Sequence, residues 1–213
     1  MNAHPLPLHT IGLDFDNTLV DYDPLFAEVA RERGWLAPEA AFPGRIALRT
    51  HLRALPAGEE HWQDLQVAVY AERMAAARLA PGATTFIRRC RAEGVALCII
   101  SHKTRHAPRD PRQTDLRQTA WTWMEEQGFF TATSLGFHPE EIDFAATRAE
   151  KLARLEQRQC THFVDDLVEV LTDPAFPRTT RGILYCPATT APPPFHGPIC
   201  RSWHELTDHL FPR

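Results

Sequence analysis

Residues 95–100 read Val-Ala-Leu-Cys-Ile-Ile, a continuous apolar run set between Gly94 and Ser101. A strand with one wet face alternates apolar and polar residues, whereas a strand covered on both faces is apolar throughout. The run therefore predicts a central strand of a mostly parallel sheet with helices on both sides. Shorter runs at Ile11 to Asp14, His162 to Val164 and Gly182 to Cys186 predict further strands, and 132–135 a short additional one. Helical patterns fill the gaps at 24–33, 83–93, 115–127, 148–158 and 203–211. In the 115–127 helix, Trp121, Met124 and Leu116 are expected to face the core. Strands that alternate with helices define an α/β chain.

The connection after the first strand is too long for one crossover helix. Residues 44–55 and 59–79 both carry helical spacing and strong helix formers. The expected division is an α/β core of residues 1–20 and 80–213 with an inserted helical subdomain at 21–79. Two ordinary crossover helices joined by a long loop are the alternative. Composition fits a soluble globular protein, with 44% hydrophobic and 23% charged residues. A formal net charge of −4 argues against nucleic acid as a partner. No run approaches membrane-spanning length, and no basic start precedes an apolar segment, so no signal peptide and no membrane partner are expected. The five cysteines have no CxxC or metal-ligand spacing and read as free thiols of a reducing compartment, the cytoplasm by default.

In an open parallel sheet, ligands sit beyond the carboxyl ends of the strands. The first strand delivers Asp14 and Asp16 to that edge, the 95–100 run delivers Ser101, His102 and Lys103, and the 162–164 run delivers Asp165 and Asp166. Like charges so close repel unless a cation lies between them or one carboxyl holds a proton. Carboxylates of this kind suit Mg²⁺, while a hydroxyl and an ammonium suit phosphate oxygens. The scattered histidines show no zinc spacing.

These residues resemble the four motifs of the haloacid dehalogenase (HAD) superfamily. The first is Asp14-Phe-Asp16-Asn-Thr18 after an apolar strand, the second Ser101 at a strand end, the third Lys151 in a helix and the fourth the pair Asp165-Asp166. Their order agrees across most of the chain. The resemblance implies a Rossmann-like parallel sheet flanked by helices, with the insertion acting as a helical cap. It implies a Mg²⁺-dependent phosphomonoester hydrolase acting on a small phosphorylated metabolite, a sugar phosphate or nucleoside monophosphate. Asp14 would be the nucleophile and Asp16 the acid and base. Thr18, Ser101, His102, Lys103 and Lys151 would serve the phosphate. Asp14, Asp16 (through its backbone carbonyl), Asp165 and Asp166 would serve the metal. Which member of the 165–166 pair is a direct ligand stays open. A phosphomutase and a non-catalytic binding domain of the same fold are the alternatives.

Two features of the pattern have competing readings. Lys103 is the only lysine besides Lys151, and so the only rival for the third motif. The basic residues of 102–112 (His102, Lys103, Arg105, His106, Arg109 and Arg112) read either as a cationic flap over the site or as a solvated loop. Tyr22, Asp23, Arg45, Arg49 and Trp62 of the insertion are expected mainly to pack or to lie on the surface, with substrate contact as the alternative. Oligomeric state is not legible.

Overall fold

The computed structural model describes residues 9–42, 44–187 and 194–212. Among them the chain forms two compact units. The first comprises 9–20, 79–103 and 128–212, and the second Asp21–Arg78 with Thr104–Gln127. Residues 188–193, within the proline-rich 187–198 stretch whose composition predicts a loop, lie outside the described residues.

The first unit is built on β1 (Thr10–Leu13), which continues through a tight turn into the short β2 (Val20–Asp21). β2 pairs with β3 (Arg78–Leu79), and α4 (Ala83–Ala92) leads into β4 (Ala96–His102). Then follow β5 (Ile142–Ala145), α6 (Arg148–Gln157), β6 (His162–Asp165), α7 (Val168–Leu171), β7 (Arg181–Tyr185), β8 (Ile199–Cys200) and α8 (Trp203–Leu210). Six of these strands form one parallel sheet in the order β5-β4-β1-β6-β7-β8. β1 and β4 are apolar on both faces and central, as the unbroken apolar run requires. The short strand expected at 132–135 is a series of turns, bounded by Gly128 and Gly136 in left-handed backbone. The strand forms instead at β5, where pairing along β4 supplies its ladder. That pairing is long-range and leaves little local signal.

Gly12 decides how closely this unit packs. A Cβ there would lie 2.9 Å from Phe163 Cδ2, 3.0 Å from Cys160 Sγ and 3.4 Å from Leu155 Cδ2. Without one, the Leu155 side chain of α6 reaches the face of β1 at Gly12. The Cys98 and Cys160 thiols also meet at 3.6 Å without a disulfide, and Cys90 and Cys200 are likewise unbridged thiols.

The second unit is helical: α1 (Asp23–Glu32), α2 (Arg45–Arg53), α3 (Gly58–Val67) and α5 (Leu116–Glu126). The helix expected over 59–79 ends at Val67 and passes through a π-helical turn at Ala68–Glu72 and a 3₁₀ turn at Met74–Ala76 before β3. Tyr22 and Trp62 are packing residues. Tyr22 donates its hydroxyl to Met74 Sδ at 2.9 Å, and Trp62 stacks on Phe26. The domain boundary differs from expectation because 104–127 leaves the α/β unit and joins the helices. Trp123 is the anchor, buried with its Nε1–H on the Ala77 carbonyl at 3.1 Å. Trp121, expected inside, is half-buried and donates to Glu125 instead. No described helix is long and apolar enough to cross a membrane.

The basic stretch after β4 is resolved by the same unit. Arg105 pairs with Asp115 at 2.8 Å, Arg109 with Asp64 at 2.7 Å, and Arg112 reaches Glu72 at 3.8 Å. The cationic-flap reading is set aside for these three arginines, because each has a carboxylate partner within the helical unit.

Gly58 sits where α3 crosses the end of α2. A Cβ there would lie 2.0 Å from the Leu52 carbonyl oxygen and 2.7 Å from Arg53 Cα, both rigid backbone. Gly58→Ala should destabilise the chain by about 1–3 kcal/mol, the usual cost of overpacking. A lower urea midpoint in equilibrium unfolding is the expected result.

Candidate active site

The C-terminal ends of β1, β4 and β6 lie side by side, because β1 is hydrogen-bonded to both neighbours. Asp14 follows β1 directly, and its backbone N–H donates to the Val164 carbonyl at 2.9 Å. This bond carries the sheet one residue beyond the strand and sets Asp14 beside Asp165. Asn17 then adopts left-handed backbone, φ 63°, and the Leu19 and Val20 N–H groups both donate to the Phe15 carbonyl. The resulting turn buries Phe15 and Thr18 beneath the carboxylates.

Lys151 arrives from α6. Thr147 caps that helix by accepting from the Glu150 N–H at 3.1 Å. Lys151 and Leu155, four residues apart, share one helix face, while Gly12 and Asp14, two apart, share one strand face. Leu155 lies over Gly12, so Lys151 is carried to Asp14. Its Nζ is 2.5 Å from Asp14 Oδ1 and 2.6 Å from Asp165 Oδ2, all three side chains being buried. The second oxygen of Asp165 accepts from the Leu167 N–H at 2.8 Å.

Burial dominates the electrostatics. It pushes the Asp14 carboxyl up to about 7, with Asp165 and Asp16 adding to the rise and Lys151 opposing it. Burial likewise raises Asp165. It opposes the charge on Lys151, yet the carboxylates of Asp14 and Asp165 together hold that ammonium above the usual lysine range.

Carboxylate oxygens of Asp14, Asp165 and Asp166 lie within 4.8 Å of one another. One ammonium among three carboxylates leaves excess negative charge, which suits a hard divalent cation with oxygen ligands. The hydroxyls of Ser101 and Thr18 are buried and have no hydrogen-bond partner among the described residues. Buried hydroxyls of this kind ordinarily bond to something, and both fit an oxygen-rich ligand. The residues present therefore fit Mg²⁺.

Two of the expected residues have side chains placed apart from the gathered carboxylates. The Asp16 carboxylate is not among the gathered oxygens. It lies on Lys103, whose Nζ is 2.9 Å from Oδ1 and 2.8 Å from Oδ2, an arrangement compatible with the metal role expected of its backbone carbonyl. His102 is exposed, with its Nε2 3.1 Å from the Ala146 carbonyl oxygen. Successive strand residues face opposite ways, so Ser101 and Lys103 share a side that His102 does not. The two lysines are not rivals either, since each holds its own carboxylate. That pairing was missed in the sequence, although it had a signal: only two of the 23 basic residues are lysine, and both are buried here.

No family model matches the sequence, and no curated protein matches it. Solved structures do share its fold. Protein tyrosine kinase A of Mycobacterium tuberculosis is similar at 20% identity over 98% of this chain and 100% of that one, with a TM-score of 0.63. A HAD-family hydrolase of Deinococcus radiodurans, solved with bound phosphate and sodium, is similar at 17% identity over 96% of each chain, with a TM-score of 0.56. A predicted phosphoglycolate phosphatase of Haemophilus somnus is similar at 14% identity over 95% of this chain and 97% of that one, with a TM-score of 0.54. At such identities the likeness is one of fold. The chain has the Rossmann-like α/β fold of the HAD hydrolases.

Because the Asp14 carboxyl is raised from 3.8 to about 7, the folded protein binds that proton more tightly than the unfolded chain. Stability contributed by this proton is present at low pH and is lost as pH rises through about 7. Asn cannot ionise, and Lys151 keeps Asp165 as a partner. Without divalent cations, Asp14→Asn should therefore be more stable than the parent at pH 8, by about 1–3 kcal/mol, and should lose that advantage near pH 4. Urea unfolding at the two pH values measures the difference.

Proposed function

We propose that this chain is a Mg²⁺-dependent phosphomonoester hydrolase that works through an aspartyl-phosphate on Asp14. The observation that carries the reading is the buried ammonium of Lys151 between Asp14 and Asp165, beside the unpartnered hydroxyls of Ser101 and Thr18. The solved structures of the same fold include one with bound phosphate and one described as a predicted phosphatase.

In this reading an Asp14 oxygen attacks phosphorus and the bond from phosphorus to the leaving oxygen breaks. Asp16 in its protonated form gives that oxygen its proton, and the alcohol departs. A water molecule then attacks the phosphoryl group on Asp14. Asp16, now a carboxylate, takes the water's proton, so inorganic phosphate leaves and both aspartates return to their starting forms. Ser101 donates its hydroxyl to a phosphoryl oxygen. Lys151 steadies Asp14 and offsets charge on the equatorial oxygens, where positioning and charge supply most of the catalysis. Mg²⁺, held by Asp14, the Asp16 carbonyl and the 165–166 pair, would draw charge from the phosphoryl oxygens.

The substrate in this reading is a small phosphorylated metabolite, and the setting is the cytoplasm. We assign the helical unit a cap role. The chain enters it three residues after Thr18 and again directly after Lys103, so both crossings begin close to residues of the site.

The test is phosphate release from an aryl phosphate and from a panel of phosphomonoesters with Mg²⁺. Asp14→Asn should lose activity by on the order of 10³-fold or more, and EDTA should abolish it. Equal background in parent and variant would favour a non-catalytic binding domain. Phosphate that appears on an organic product rather than in solution would favour a mutase or another phosphotransferase.

A further inference from the structure

We infer that Lys103 is a positioning residue for Asp16, serving the step in which water removes the phosphoryl group from Asp14. This rests on the hydrolase reading above and assigns a role that the reading leaves open.

The geometry separates two tasks. Lys151 is committed to Asp14 and Asp165. Lys103 instead meets Asp16, and one Nζ reaches both of its carboxylate oxygens, at 2.9 and 2.8 Å. A carboxylate gripped at both oxygens has its rotamer settled. The grip is itself anchored. The Lys103 N–H donates to the Ala145 carbonyl at 2.9 Å, and the ammonium lies 5.7 Å from the centre of the Phe15 ring. Lys103 is buried, whereas Asp16 keeps partial access to solvent, as a group that must meet a water molecule requires. Burying a lysine is costly unless it is paired. Composition sharpens the point. This chain uses arginine almost everywhere, yet has lysine at 103 and 151 alone. A compact point charge on a flexible stem suits a single carboxylate in a tight space better than a planar fork does.

The role has a kinetic signature. With an aryl phosphate the leaving group departs without a proton, so forming the aspartyl-phosphate does not need Asp16. Removing the aspartyl-phosphate does, because Asp16 must face the incoming water. In Lys103→Met, kcat for an aryl phosphate should fall about 10–100-fold, by analogy with the loss of an outer-shell partner that orients a metal ligand. KM should fall in proportion and kcat/KM should stay within about twofold, because kcat/KM reports the first irreversible step. Acid-quenched enzyme should carry more trapped phosphate than the parent. Lys103→Arg, which keeps a cation, should show the same split at smaller amplitude, and it carries the test if the Met variant does not fold.

A raised KM with a lowered kcat/KM would mean that Lys103 grips the substrate phosphate, and would overturn the inference. Unchanged kcat in a folded variant would overturn it as well. Failure of the underlying reading looks different: the parent itself would release no phosphate and trap none.

Discussion

One ammonium shared by two buried carboxylates is the contact on which the rest of this structure turns. Withdrawing such charges from water costs several kcal/mol per ion even after relaxation. The arrangement is tolerable only because Asp14 and Asp165 both reach Lys151 at hydrogen-bond distance, with the Leu167 N–H completing Asp165. It joins β1 to two consecutive elements far along the chain, α6 and β6. The local charge does not balance, since Asp166 adds a third carboxylate to one lysine. That imbalance is the physical reason the site suits a divalent cation, while burial is the main reason the Asp14 carboxyl is held so far above its ordinary range.

The packing beneath explains how the lysine gets there. Gly12 has no side chain on the face where Leu155, Phe163 and Cys160 converge. The missing side chain lets Leu155 of α6, a helix that packs on β4 and β5, settle over the glycine. One helical turn earlier, Lys151 then stands over Asp14. Helix and strand periodicities, 3.6 and 2, meet at this point, so an apolar contact inside the core sets a polar contact at the sheet edge. On the other side, β4 delivers Ser101 and Lys103 to the same edge and turns His102 away. The result keeps Asp14 and Asp16 on separate cations, although only Phe15 stands between them in the chain.

Much of this was legible beforehand, for identifiable reasons. The strands β1, β4, β6 and β7 and the helices α1, α4, α6 and α8 came within about two residues, because buried strands and amphipathic helices leave strong local periodicity. Asp14, Ser101 and the 165–166 pair could be placed at one sheet edge because they end apolar strands, whereas Thr18 and Lys151 were singled out only by the resemblance. The misses are equally physical. β5 and β8 are the two short edge strands of the sheet, stabilised by neighbours rather than by their own pattern. The helical pattern at 59–79 did not disclose the π-helical turn, whose residues are ordinary helix formers. Trp121 and Trp123 differ by two positions on α5, and the docking of that helix on the Met74–Ala77 segment decided which one is buried.

By itself, then, the sequence determined the class of fold and the chemical character of its central edge, because both follow from local patterns: apolar runs that must be covered on two faces, and carboxylates placed where those runs end. The tertiary structure alone decided the partnerships. That Lys103 belongs to Asp16 and not to Asp14, that the arginines of the following loop are tied to the carboxylates Asp64, Glu72 and Asp115, and that residues 104–127 join the helical unit all depend on distances between segments far apart in the chain. Such distances are set by how the whole core closes, with Gly12 and Trp123 among the residues that set them, and no periodicity along the chain encodes them.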